Sequence, residues 1–304
     1  MSRLHEEGLT PPVIRLAATC ALMEESNREH SEARYPFHKA RMEAPTLRLA
    51  HVPGAQGDNC LMGRNNSKKL PASSAPSLLV SYFYLQNWLS KRHLYVIRDW
   101  VLDSGAFSAR QQNISISLTD YIETCKRLID TEDALTEIYA LDVIGDWKAT
   151  KHNTEAMWKA GIPAIPTFHR HEPWDALKGY AADYPKIAVG GMADLRATAK
   201  REYAEQCFAR IWPKPIHGFG MATRELIMLL PWHSSDATSW ELGPVGFGNW
   251  KTFGYLNVRG SKQNLRVEVE YFLKLETEAR HRWRKQMAKL PVLPTLREQA
   301  HALR

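Results

Sequence analysis

Cysteine is scarce in this chain, and none is placed for cysteine chemistry. The four residues Cys20, Cys60, Cys125 and Cys207 are widely scattered and form no C-x-x-C pair. That argues against a disulfide framework and a cysteine-based structural zinc site, and leaves buried free thiols as the expectation. Long apolar runs are missing too. No window approaches the roughly eighteen uninterrupted apolar residues that a membrane-spanning helix needs, so no membrane partner is expected. The opening Met1-Ser-Arg-Leu-His-Glu-Glu7 has no apolar core of the kind that marks a secretory signal, and a soluble cytoplasmic protein is expected. There is no internal repeat of fixed period beyond an alternation of strand-like and helix-like segments.

What is present is ordinary in bulk. With 44% hydrophobic and 24% charged residues, the 304-residue chain has the composition of a globular protein able to bury a sizeable core, in one large α/β domain or two smaller ones. A formal charge of +7 and a pI near 9.2 suit a polyanionic partner without proving one.

The first 75 residues differ from the rest. They hold Pro11-Pro12, a polar stretch over 24–34, the loop-like 53–58, and linker-like segments at 65–69 and 71–76. They read as an N-terminal extension, partly irregular, that decorates the remainder of the chain. From 76 onward strands and helices alternate. Strands are predicted over 78–84, 95–103, 135–143, 162–168, 186–189, 214–219, 233–239 and 252–258. Helices are predicted from about 118 with Thr119 or Asp120 as N-cap, over 147–159 closed by Gly161, and over 174–184, 197–212 and 223–230. A long helix over 262–290 ends the series. Eight strands separated mostly by helices match a (β/α)8 (TIM) barrel over 76–304 with a long C-terminal helix. A doubly wound open sheet would normally carry a glycine-rich phosphate turn after its first strand, and none is visible.

In such a barrel the C-terminal strand ends line the active site, and that is where the unusual residues fall. Asp103 ends the apolar run 95–102; Asp142 and Asp236 also end short β-like segments. Taken singly, each has a structural alternative. Asp103 also reads as a turn residue binding backbone amides, His169 as a surface histidine, the Gly190-Gly191 pair as relief of crowding, and Phe219 as core. Asp146 is the expected cap of the helix at 147, which leaves Asp142 less needed structurally. Asp236 lies in a strand-like stretch where an unpaired charge is costly. Together, Asp103, Asp142, His169, Gly190, Gly191, Phe219 and Asp236 would rim a slot for a planar heterocycle. Its carboxylates would accept N–H groups, and its glycine amides would bind a carbonyl.

Six segments carry a resemblance: Asp103-Ser-Gly-Ala-Phe-Ser108, Ala140-Leu-Asp-Val-Ile-Gly-Asp146, Pro166-Thr-Phe-His169, Ala188-Val-Gly-Gly-Met192, His217-Gly-Phe-Gly-Met221 and Ser235-Asp-Ala-Thr-Ser-Trp240. In content and order the sequence resembles the tRNA-guanine transglycosylase superfamily, most closely its phage-type branch, the DNA 7-deazaguanine transglycosylases. The resemblance implies exchange of guanine in DNA for a 7-deazaguanine, such as the 7-cyano form, through a covalent aspartyl–sugar intermediate. It implies Asp236 as nucleophile and Asp103 as proton shuttle. Asp142, Gly190, Gly191, Phe219, His169 and Phe107 would bind the base, although His169 stands where the tRNA enzymes have glutamine. The tRNA enzymes carry a zinc site of clustered cysteines and a histidine after the nucleophile strand. No cysteine follows Cys207 here, so no metal or cofactor is expected and DNA is favoured over tRNA. The expected partners are DNA and the free 7-deazaguanine base, in the host cytoplasm if the chain is phage-encoded. The alternatives are a tRNA enzyme with a reduced C-terminus and a non-catalytic nucleic-acid-binding barrel. Arg280, Arg282, Arg284 and Lys285 on the long C-terminal helix are candidates to track a phosphate backbone, or form a solvated helix face.

Overall fold

The structure, a computed structural model, describes residues 13–18, 75–241, 249–251, 254–255 and 265–304. The polar stretch 24–34, the loop 53–58 and the segments 65–69 and 71–74 lie outside the described residues, as does Pro11-Pro12.

Eight strands run through the centre: β1 (Val13–Ala18), β2 (Ser77–Ser81), β3 (Asp99–Asp103), β4 (Leu135–Ile138), β5 (Thr167–His169), β6 (Ile187–Gly190), β7 (Ile216–Gly218) and β8 (Ser234–Ala237). Their order is β4-β3-β2-β1-β8-β7-β6-β5, and every pairing is parallel. A parallel bridge between Tyr139 and Ile165 joins the two ends. There Ala140 N donates to Ile165 O and Ile165 N to Ile138 O, both at 2.9 Å. The result is a (β/α)8 barrel.

Helices return the chain between strands: α1 (Leu85–Lys91), α2 (Ala106–Gln111), α3 (Leu118–Thr131), α4 (Trp147–Lys159), α5 (Trp174–Asp183), α6 (Ala197–Ile211) and α7 (Arg224–Leu229). After β8 come a single turn, α8 (Ser239–Glu241), then β9 (Asn249–Trp250) and β10 (Gly254–Tyr255), and two terminal helices, α9 (Leu265–Met287) and α10 (Leu296–Leu303). Asp146 caps α4 as expected, accepting from Ala149 N at 3.0 Å, and Gly161 closes that helix at φ +84°. Helix α3 is capped by Ser117, which accepts from Asp120 N at 3.3 Å, and not by Thr119 or Asp120. Its serine hydroxyl reaches the free amide one turn in, which only a residue ahead of the helix can do.

Two expectations need correction. The barrel does not begin at 76, because Val13–Ala18 is a full strand between β2 and β8. The segment 252–258 is not the eighth barrel strand: Gly254–Tyr255 pairs antiparallel with β9 alone. Arg15 obscures β1 in the sequence by placing a charge in the middle of an apolar strand. The lumen satisfies that charge through Asp99 at 2.7 Å and Glu137 at 3.2 Å.

Alternation along the strands divides the core. Leu78, Val80, Trp100, Leu102, Ile138, Phe168, Ile187, Val189 and Ile216 face the helices in one large apolar shell. The opposite phase faces the lumen, where Leu79, Val101, Tyr139, Ile165 and Ala188 form a small cluster touched by Phe219. Towards the strand N-termini the same phase carries Ser77, Arg15, Asp99 and Ser234, all buried. Among the described residues no helix is long and apolar enough to cross a membrane.

Candidate active site

The C-terminal strand ends gather the three aspartates. Asp103 is the last residue of β3. Gly105, at φ +77°, turns the chain back so that its amide donates to Asp103 Oδ2 at 3.1 Å. A Cβ at Gly105 would lie 2.9 Å from Phe83 N, so the turn admits glycine alone. Asp236, 5% exposed near the end of β8, accepts from Gly220 N at 2.8 Å. Asp142 lies beyond the Tyr139–Ile165 bridge, in the loop that leads to α4. The ladder does not reach it, although a strand was expected to run to 143.

Electrostatics ties these three acids together. The Asp103 pKa is pushed up from 3.8 to about 7. Burial is the main cause and the Asp142 charge the second; the Gly105 amide opposes them, and the charge of Asp236 adds to the rise. The charges of Asp142 and Asp236 both act on Asp103, in keeping with three acids at the same end of the barrel. A carboxyl poised near neutrality can give a proton and take one back, while carboxylates beside it stay available for other work.

Asp142 is held on both oxygens. Ser104 Oγ donates to Oδ1 at 2.5 Å, and His169 Nε2 lies 2.9 Å from Oδ2. Each carboxylate oxygen has a second lone-pair site, so Asp142 can still accept from a ligand. His169, read in isolation as a surface residue, is buried at 5% exposure. Its second nitrogen lies 3.4 Å from Glu172 Oε1. Burial disfavours its charge, but the hydrogen bonds and charges of Asp142 and Glu172 prevail and push its pKa up to about 9. At neutral pH it is an imidazolium between two carboxylates, and it fixes the orientation of Asp142.

Gly190 and Gly191 follow directly beside His169. A Cβ on Gly190 would meet Thr167 Cγ2 at 3.3 Å and Phe219 Cδ2 at 3.7 Å, so its absence keeps the wall beside Phe219 thin. Phe219 packs edge-on against Tyr139 at 4.9 Å and His217 at 4.7 Å between ring centroids. Phe107, at the start of α2, is 53% exposed, an apolar ring on the rim just beyond Asp103. The set expected from sequence is thus assembled at one end of the barrel.

The basic helix end is elsewhere. Glu276 of α9 accepts from Ile14 N at 2.8 Å and from Arg98 at 2.8 Å, at the entrances of β1 and β3. Arg282, Arg284 and Lys285 lie one to three turns further along and are exposed, on the side of the barrel opposite the aspartates. Arg280 is engaged with Glu276 at 2.7 Å. A surface at the strand N-termini cannot guide a backbone into the mouth. On the mouth side stand exposed Arg110 on α2 and Lys148 on α4, and the loops add exposed Arg196 and half-buried Arg170.

Ser104, Glu172 and His217 were not foreseen as site residues. The first two lie one and three positions from residues that were. His217 shares a strand face with Phe219, which the two-residue period would have revealed. Among the described residues no group of three or more His, Cys, Asp or Glu is arranged to hold a metal ion. No protein-family model matches the chain, and no curated protein matches it significantly.

Proposed function

We propose that this protein is a base-exchange glycosyltransferase that replaces guanine in DNA with a 7-deazaguanine. The observation that carries the reading is the placement of three aspartates at the C-terminal ends of separate strands, with Asp142 held by Ser104 and His169 and Asp236 by the Gly220 amide. Burial and the charges of the other two push Asp103 up to about 7. The six resembling segments supply the reaction class.

In this scheme the Asp236 carboxylate attacks C1′ of the target nucleotide. The C1′–N9 bond breaks, its electron pair goes to N9, and protonated Asp103 supplies the proton that the departing guanine needs. Positive charge building at C1′ is met by the carboxylate that traps it. The incoming base then gives its N9 proton to Asp103 and displaces Asp236 from C1′. Exchange prevails over hydrolysis because a base fills the slot between Phe219, Gly190 and Asp142 and keeps water out. The target nucleotide must leave the duplex stack for C1′ to reach Asp236.

The test is incorporation of radiolabelled guanine into duplex DNA and into tRNA, with Asp236→Ala as control. Label is expected in DNA and absent with Asp236→Ala, whose circular dichroism stays that of the wild type. Incorporation into tRNA alone overturns the DNA assignment, and incorporation into neither overturns base exchange. Normal exchange by Asp236→Ala removes the nucleophile.

A further inference from the structure

The base of the lumen carries polar groups that this scheme leaves unused. Lys186, its side chain 2% exposed, lies 2.6 Å from Glu137 Oε1 and donates to Ser234 Oγ at 2.9 Å. Ser234 Oγ in turn lies 2.9 Å from His217 Nδ1, and His217 Nε2 lies 3.5 Å from Asp236 Oδ1. The chain of contacts therefore leads from a buried ammonium to the aspartate assigned as nucleophile. Apolar side chains of similar volume would fill the same space without desolvating charge.

The inventory of protons sets its direction. An ammonium only donates, so Ser234 Oγ is the acceptor from Lys186. The serine hydroxyl must then place its own proton, and His217 Nδ1 is the acceptor within reach. The reverse arrangement, with Nδ1–H donating to Ser234, would strand the serine proton at a site with 0% exposure. The ring proton belongs on Nε2, which is buried, makes no hydrogen bond to any described residue, and has Asp236 Oδ1 as a neighbour at 3.5 Å.

We infer that His217 is a positioning residue for Asp236: a neutral ring held in its Nε2–H form by Ser234 and Lys186, with its one N–H directed at the Asp236 carboxylate. The inference rests on the base-exchange reading for what Asp236 does, and on geometry alone for the tautomer. Together with the Gly220 amide at 2.8 Å, it gives Asp236 Oδ1 two N–H neighbours. The charged groups around the ring are Asp236 on β8, Lys186 ahead of β6 and Glu137 on β4. Of these, Asp236 and Glu137 favour a proton on the ring and Lys186 opposes it, but burial dominates and lowers the His217 pKa. Tyr139 packs on the ring at 4.9 Å, and His233, its own pKa lowered by burial above all, adds no charge at neutral pH.

Nitrogen NMR of the histidine rings tests the tautomer without substrate. His217 is expected to stay neutral and Nε2-protonated from about pH 6 to 7, below the value of about 8 to which burial lowers the Lys186 pKa, and Ser234→Ala to release that preference. A ring charged at pH 7, or protonated on Nδ1, overturns the inference. In the exchange assay His217→Met should lower kcat roughly tenfold to a hundredfold, the worth of one hydrogen bond to a charged group. KM for the free base should be nearly unchanged, and the acid limb of the kcat–pH profile should move up. His217→Gln, which keeps an N–H near the Nε2 position, should recover most of the rate. Unchanged kcat in a folded His217→Met also overturns the inference. If His217→Met does not fold, Ser234→Ala decides: it should lower kcat in the same direction, and wild-type kcat from it counts against the relay. No exchange by the wild type is a different result, because it removes base exchange itself while the NMR still reads the tautomer.

Discussion

Replacing Asp103 with asparagine should make the protein more stable above neutral pH. In the unfolded chain this carboxyl ionises near 3.8, and in the folded protein near 7. Between those values the folded state keeps a proton that the unfolded chain has released, so stability falls as pH rises across the window and stays low above it. The gap is worth about 2–4 kcal/mol once solvent at the mouth is allowed for. Asparagine does not ionise, and its carbonyl can still accept from the Gly105 amide. Urea unfolding of wild type and Asp103→Asn at about pH 4 and pH 8 measures the effect as a difference of differences. The intrinsic cost of the substitution and the titration of distant groups cancel in that comparison. The variant should gain about 2–4 kcal/mol on the wild type between the two pH values. A wild-type-to-variant gap that does not change with pH would refute the reasoning, because Asp103 would then ionise normally, without the burial and neighbouring charge argued for it. The order of causes gives a second check. Asp142→Asn should lower the Asp103 titration midpoint, followed by carboxyl-carbon NMR, further than Asp236→Asn does.

Asp142→Ala should weaken binding of the free base far more than binding of nucleic acid, each followed by its own titration; equal losses would remove Asp142 from the base slot. Gly218→Ala should destabilise the fold by about 1–3 kcal/mol or more in thermal or urea unfolding. The new Cβ would stand 2.6 Å from the Trp232 ring and 2.9 Å from Met221 Cβ, and a neutral result would mean that β7 and Trp232 are not packed this way. Neutralising Arg110, Lys148 and Arg196 around the mouth should weaken DNA binding and flatten its salt dependence. Neutralising Arg282, Arg284 and Lys285 on the far side should leave both unchanged, and the opposite ranking would relocate the nucleic-acid surface.

Much of the barrel was legible because helix and strand segments are separated by clear turn signals, and because the acids stand where apolar runs break. Asp103 could be placed from that alone, whereas Asp236, preceded by His233-Ser-Ser, needed the pattern of the other strand ends and the resembling segments. Strand β1 was not, since Arg15 interrupts its apolar run and only the partners Asp99 and Glu137, distant in sequence, make the charge tolerable there. The misplaced strand at 252–258 followed from that omission: with one strand missed, the next β-like segment completed the count of eight. Taken singly, His169 read as a surface histidine for a similar reason, because the partners that bury it lie in a loop from another strand and one turn along its own. The position of the basic stretch on α9 depends on how far the helix runs down the outside of the barrel, which Glu276 fixes through Ile14 and Arg98. Local sequence carries no record of that contact.

The alternation of the strands also separates what holds this protein together from what it can do. The apolar shell between strands and helices supplies the burial that drives folding, through residues such as Trp100, Leu102, Phe168 and Val189. The lumen phase of the same strands is free to be polar, and it carries cost at both ends. At the mouth Asp103 is kept from ionising by its surroundings. At the base the buried charges of Arg15, Asp99, Glu137 and Lys186 are matched with each other, so their desolvation is offset by pairing and little net stability remains. Lumen and shell residues alternate one by one along the chain, yet they answer to different constraints. A substitution at Leu102 or Val189 changes packing, whereas one at Asp103, His217 or Ser234 changes proton placement around a carboxylate. A chain whose lumen served only stability would have no reason to keep Lys186, Ser234 and His217 in hydrogen-bond sequence beneath Asp236. Under the base-exchange reading, that sequence of donors and acceptors serves Asp236 and not the fold.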